Sequence, residues 1–112
     1  MNYLDFEAGN VVYKLRLNTR SIVALEKRIG CNPLSIFGNG EKVPTITVMV
    51  EILHASLTQL NHGITLDNAY SIFDRWIADG HTMIDFIPII LEIYKVSGLV
   101  NATEAAEEDE KN

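Results

Sequence analysis

Glu51 and His54 stand in a stretch of helical periodicity with the Glu-x-x-His spacing, which puts a carboxylate and an imidazole on one helix face, as in the di-iron proteins built on helix bundles. A site of that kind needs a second such pair and further carboxylates, and the sequence supplies neither. An ordinary solvated or interfacial pair is the simpler account. Cys31, the only cysteine, follows a helix stop and precedes Asn32-Pro33, a position that could lower a thiol's pKa at a short helix's N-terminus. No Lys or Arg adjoins it and no histidine is set beside it, so it reads as a buried or half-buried structural thiol. His62 and His81 fall at helix ends, where a ring caps terminal carbonyls. Gly38-Asn39-Gly40-Glu41-Lys42 lacks the spacing of a phosphate-binding loop. No nucleophile-elbow, Cys-x-x-Cys or His-Glu-x-x-His motif is present. These residues imply no catalytic residue, no metal and no cofactor: the chain does not read as an enzyme.

The elements that would have to position any site follow from pattern. Val11 to Asn18 alternates, with Val11, Tyr13, Leu15 and Leu17 on one face, and Tyr3 to Glu7 alternates more weakly. Ala8, Gly9 and Asn10 between them tolerate positive φ, which predicts a β-hairpin that must lie on something else. Asn18 or Thr19 then caps a helix carrying Ile22, Leu25 and Ile29, stopped by Gly30. One or two turns over 34–37 precede a Gly-rich connection. Thr45 opens a second helix with apolar residues on two sides, Ile46, Met49, Val50, Leu53, Leu57 and Leu60 on one stripe and Val48, Ile52 and Ala55 on another, so it is predicted to be central. Thr65 caps a third helix with Leu66, Ala69, Tyr70, Phe73, Trp76 and Ile77 inward. A fourth runs to about Ser97, with Gly98 as its stop. Its polar stripe is narrow, Asp85, Pro88, Glu92 and Lys95, and Pro88 requires either a kink or a start at Asp85. The expected fold is thus mainly α: an N-terminal β-hairpin and about four helices in one domain over 1–100, then a disordered acidic tail over 101–112.

The chain has 112 residues, 47% of them hydrophobic and 21% charged, enough for one core without disulfides. Its net charge of −6 disfavours nucleic acid as a partner. Five acids and one base lie beyond Val100, so −4 of that charge belongs to the tail and the body is nearly neutral. The longest apolar run, Phe86 to Leu91, is six residues, against the roughly 20 of a membrane span, and the start lacks a signal-like n-region. The expectation is a soluble protein of a reducing cytoplasm with no membrane association.

The second and fourth helices together offer more apolar faces than a layer of this size can bury, and the excess points to self-association or a protein partner. Ile87, Ile90, Leu91 and Tyr94 cannot all face the hairpin and the second helix at once, so they are the expected partner-binding residues, lining a groove for an amphipathic helix.

Val12–Arg20, Leu25–Gly30 leading into Asn32-Pro33-Leu34, Ile52–Leu57 and Asn61-His62-Gly63 together resemble the tail assembly chaperones of long-tailed, siphovirus-type phages and prophages of Gram-positive bacteria. Asp67–Tyr70, Asp79-Gly80-His81, Phe86–Ile90 and Val96-Ser97-Gly98 continue the likeness, which spans about 11–100. The resemblance implies a small helical viral protein made in the host bacterial cytoplasm during virion assembly and absent from the mature virion. It would coat the hydrophobic tape measure protein, keep it soluble and help recruit tail tube protein. The plain acidic end looks like the unshifted product of a gene that, in many such phages, also gives a frameshifted longer form. The family has no catalytic residues to carry over. Two other classes compete with this one. An acidic regulator or inhibitor acting by protein-protein binding fits the net charge but not the near-neutral body, and a small metal-dependent enzyme rests on Glu51 and His54 alone.

Overall fold

In a computed structural model, which describes residues 2–37 and 43–101, strands β1 (Leu4–Ala8) and β2 (Val11–Leu15) pair antiparallel, with Phe6 opposite Tyr13 and Ala8 opposite Val11. The connection is the two-residue turn Gly9-Asn10, with φ of 56° and 70°, the left-handed pair that matches the twist of a hairpin. A side chain at position 9 would be strained by that φ and would also press on the aliphatic stem of Arg75. The turn is fastened to the helices by Gly9 N, which donates to Asp79 Oδ2 at 2.7 Å.

Four helices follow, as the pattern predicts: α1 (Thr19–Ile29), α2 (Ile46–Leu57), α3 (Leu66–Ala78) and α4 (Phe86–Val96), with a short 3₁₀ helix at Pro33–Phe37. Each start has a chemical cause. Asn18 and Ser21 close a reciprocal capping box on α1, Thr65 and Asn68 close another on α3, and Thr45 Oγ1 accepts from Val48 N on α2. Gly30, at φ 76°, ends α1 by donating to the Glu26 carbonyl at 2.9 Å. Helix α4 ends at Gly98, where Leu99 N reaches Tyr94 O at 2.9 Å and Gly98 N reaches Lys95 O at 3.2 Å. These bonds satisfy carbonyls the helix leaves open.

The layer is organised around α2, which packs on α1, α3, α4 and β2. Met49, Val50, Ile52, Leu53 and Leu57 are all essentially inaccessible, so the middle of this helix is core on both apolar sides, whereas Ile46 at its start and Leu60 just past its end are exposed by 40% and 41%. Neighbours on several sides thus cover the body of α2, and what is left exposed of its apolar stripe lies at the two ends. The hairpin lies on α3 and α4 through Phe6, whose ring meets Trp76 and Phe86; both of these also meet Phe73, and the ring centroids of the cluster's contacting pairs are 5.2–6.1 Å apart. On the third helix Tyr70 is turned outward, exposed by 42%, and Ile72 is buried in its place. The acidic tail from 102 and the Gly38–Lys42 connection lie outside the described residues.

Candidate functional site

Helix α4 starts late rather than kinking. Asp85 occupies its N-cap position, so Pro88 falls in the first turn, where the helix has no use for an amide donor. The turn before it is built by Thr82 and Asp85: Asp85 Oδ2 accepts from Thr82 N at 2.8 Å, and Asp85 N donates to Thr82 Oγ1 at 3.3 Å. The tight bonds Phe86 N to Met83 O and Ile87 N to Ile84 O, both 3.1 Å, carry this turn into the helix. The Ile84 carbonyl, which an amide at position 88 would have taken, is thereby paired.

This late start decides which apolar side chains are covered. Of the four residues expected to line a groove, Ile90 and Tyr94 are 0% exposed and belong to the core, which corrects the expectation for both. Ile87 and Leu91 are half-buried. Ile84 and Met83, in the turn ahead of the helix, are exposed by 57% and 42%. Positions 84, 87 and 91 recur at helical spacing and form one flank, beside the buried side made by Phe86, Ile90 and Ile93. The surviving apolar surface is thus shifted from the middle of the helix toward its N-terminal turn. Sequence periodicity could not show this, because it treats Met83 and Ile84 like the residues that follow.

Tyr94 is buried with its hydroxyl donating to the Pro33 carbonyl at 2.8 Å, tying α4 to the 3₁₀ helix across the chain. Burial, and after it the nearness of Cys31, pushes this hydroxyl well above the ordinary tyrosine value of 10.0. The folded state therefore excludes phenolate, whereas the unfolded chain ionises at about pH 10. The stabilisation is fully present below pH 10 and is lost as pH rises beyond it toward the folded value. Tyr94→Phe is expected to cost about 1 kcal/mol at neutral pH, by removing one hydrogen bond, and to flatten the alkaline fall in stability above about pH 10. Urea unfolding of both proteins across that range checks it, and parallel alkaline limbs would refute the assignment.

The Glu51–His54 pair resolves differently from its spacing. Glu51 is buried and its Oε1 accepts from Arg28 Nε at 2.6 Å, an ion pair joining α1 to α2. That hydrogen bond, reinforced by the carboxylate's charge, holds the Arg28 guanidinium above its ordinary pKa. His54 is half-buried in a small recess with Arg28 and Glu51, and among the described residues no group of three His, Cys, Asp or Glu side chains is placed to hold a metal. Arg28 escaped the sequence reading, because nothing local relates a residue at the end of α1 to the middle of α2. Cys31 is exposed, against the expectation of a buried or half-buried thiol, since the chain leaves α1 at Gly30 on the outside of the bundle. His81 stacks on Trp76, with ring centroids 4.4 Å apart and planes 7° from parallel, so it closes the aromatic cluster toward solvent. His62 is exposed. No helix among the described residues is long and apolar enough to cross a membrane.

Compared with known proteins, residues 5–109 match the model of a family described as a family of unknown function, DUF6096. No curated protein and no solved structure matches the chain.

Proposed function

The chain belongs to the DUF6096 family, a family of unknown function, and from its surface and the likeness of its segments to phage proteins we propose that it is a tail assembly chaperone. Its client would be the tape measure protein, held soluble in the host bacterial cytoplasm until tail tube protein assembles around it, with the chaperone absent from the mature virion. The observation that carries this reading is the apolar flank of Ile84, Ile87 and Leu91 with Met83 beside it. It is long enough for about two turns of an amphipathic helix and has little directional polarity. Such a surface accepts many stretches of one long helical client, and the chain's net charge of −6 keeps the loaded complex in solution. The same flank supports self-association before the client arrives, and no catalytic step is required of any residue.

The test is co-expression with a tape measure protein. Wild type should keep that protein in the soluble fraction, and Ile84→Asp, at a position exposed by 57%, should keep the circular dichroism of wild type yet leave the client in the pellet. A client that stays soluble with Ile84→Asp, or precipitates with wild type, overturns the reading. The acidic-regulator alternative draws only on the net charge, most of which lies beyond Val100.

A further inference from the structure

The two edges of the hairpin are treated differently by the rest of the chain. The outer edge of β2 is closed at its C-terminal end: Asn61 Nδ2 donates to Lys14 O at 2.6 Å while its Oδ1 accepts from Lys14 N at 3.4 Å, and just past the strand Arg16 N donates to Ser56 O at 2.8 Å. The outer edge of β1 is open. A two-residue turn makes Ala8 and Val11 exchange backbone bonds, so Phe6 with Tyr13 and Leu4 with Leu15 do the same, while Asp5 and Glu7 aim their N–H and C=O groups away from β2. Among the described residues nothing bonds those outward groups. An open groove of about 650 Å³ runs along this edge, walled on the far side by Trp76, Pro88, Ile89 and Glu92.

The charges of the groove are of one sign. Asp5, Glu7, Asp79 and Glu92 line it, and no Lys or Arg does. Asp79 is engaged by the Gly9 amide and Glu92 by Lys95 at 2.9 Å. Lys14 stands opposite Asp5 in register but leans over the Tyr3 ring, 4.8 Å from its centre, and makes no ion pair with Asp5. Asp5 and Glu7 point to the solvent face of β1, and Leu4 and Phe6 point to the inner face.

We propose that the open edge of β1 binds an extended segment of a partner protein, which adds a third strand to the hairpin, with Lys or Arg beside Asp5 and Glu7 and apolar side chains at the alternate positions. The outward backbone groups supply hydrogen bonds regardless of sequence. The pattern comes from the two faces: basic residues sit next to two unpaired carboxylates, and the residues between them turn inward along Trp76, Pro88 and Ile89. A second copy of β1 is disfavoured as the occupant, because the symmetric antiparallel pairing sets carboxylate against carboxylate. The acidic tail of the chain itself is repelled for the same reason.

The probe is a short fluorescent peptide alternating lysine with valine, with two controls: one alternating glutamate with valine, and one of the same composition with lysines and valines in separate blocks. The alternating Lys-Val peptide should bind wild type and slow amide exchange at Asp5 and Glu7, and both controls should bind about tenfold more weakly or less. Glu7→Pro removes an outward donor without breaking a hairpin bond, so it should lose at least about tenfold in affinity while its circular dichroism is unchanged. Asp5→Lys with Glu7→Lys should reverse the preference toward the Glu-Val peptide. Leu91→Asp, on the other flank of α4, should bind the Lys-Val peptide as wild type does, which separates this edge from the chaperone surface. The proposal is overturned if Glu7→Pro binds undiminished, if the block peptide binds as well as the alternating one, or if protection appears elsewhere than β1. Protection of Asp5 and Glu7 that grows with protein concentration alone would mean that a second copy is the occupant, and overturns it too.

Discussion

Tyr94→Asp should unfold the protein, whereas Leu91→Asp, only three residues away, should leave it folded. Tyr94 is 0% exposed and its hydroxyl is committed to the Pro33 carbonyl at 2.8 Å. Replacing it removes a large buried ring, orphans that carbonyl and places a carboxylate where no cation is near. Cavity formation alone costs about 3–5 kcal/mol, and the desolvated acid adds a few more, which brings the loss into the range of roughly 5–15 kcal/mol that holds a domain together. Leu91 is half-buried on the exposed flank and an aspartate there can reach water, for a cost of about 1–2 kcal/mol. Circular dichroism and urea unfolding of the two variants decide the point. A folded Tyr94→Asp protein would mean that this side of α4 is open in solution. An unfolded Leu91→Asp protein would mean that the flank assigned to the client is core.

Phe86→Ala is the second large effect. The Phe86 ring is inaccessible and sits among Phe73 at 5.2 Å, Trp76 at 5.6 Å and Phe6 at 6.1 Å, at steep angles to all three. Truncation empties the joint where the hairpin meets α3 and α4. The expected loss is about 3–5 kcal/mol, which for a domain of this size is a fall in Tm of more than about 10 °C. His81→Ala is the control, because the imidazole stacks on Trp76 from the solvent side and its removal should cost under about 1 kcal/mol. Thermal unfolding compares them directly, and equal falls for the two variants would show that the cluster does not carry the joint.

Most of the architecture is written in local patterns. The Gly9-Asn10 turn, the caps at Asn18, Thr45 and Thr65 and the left-handed stops at Gly30 and Gly98 all act within a few residues, so the sequence by itself determined the hairpin, the four helices and their order, while Pro88 left a kink or a late start of α4 for the structure to choose between. The two-sided apolar pattern of α2 also determined that it is central, since a helix apolar on several sides must be covered on several sides. Which face of α4 is covered was left to the tertiary structure. Ile87, Ile90, Leu91 and Tyr94 share one helical stripe, and only the positions of the 3₁₀ helix, α2 and β1 sort them into buried Ile90 and Tyr94 and half-buried Ile87 and Leu91. The Arg28–Glu51 pair, the exposure of Cys31 and the open edge of β1 were decided in the same way. Each depends on which distant segment arrives beside it, and side-chain spacing along one element carries no information about the packing of another.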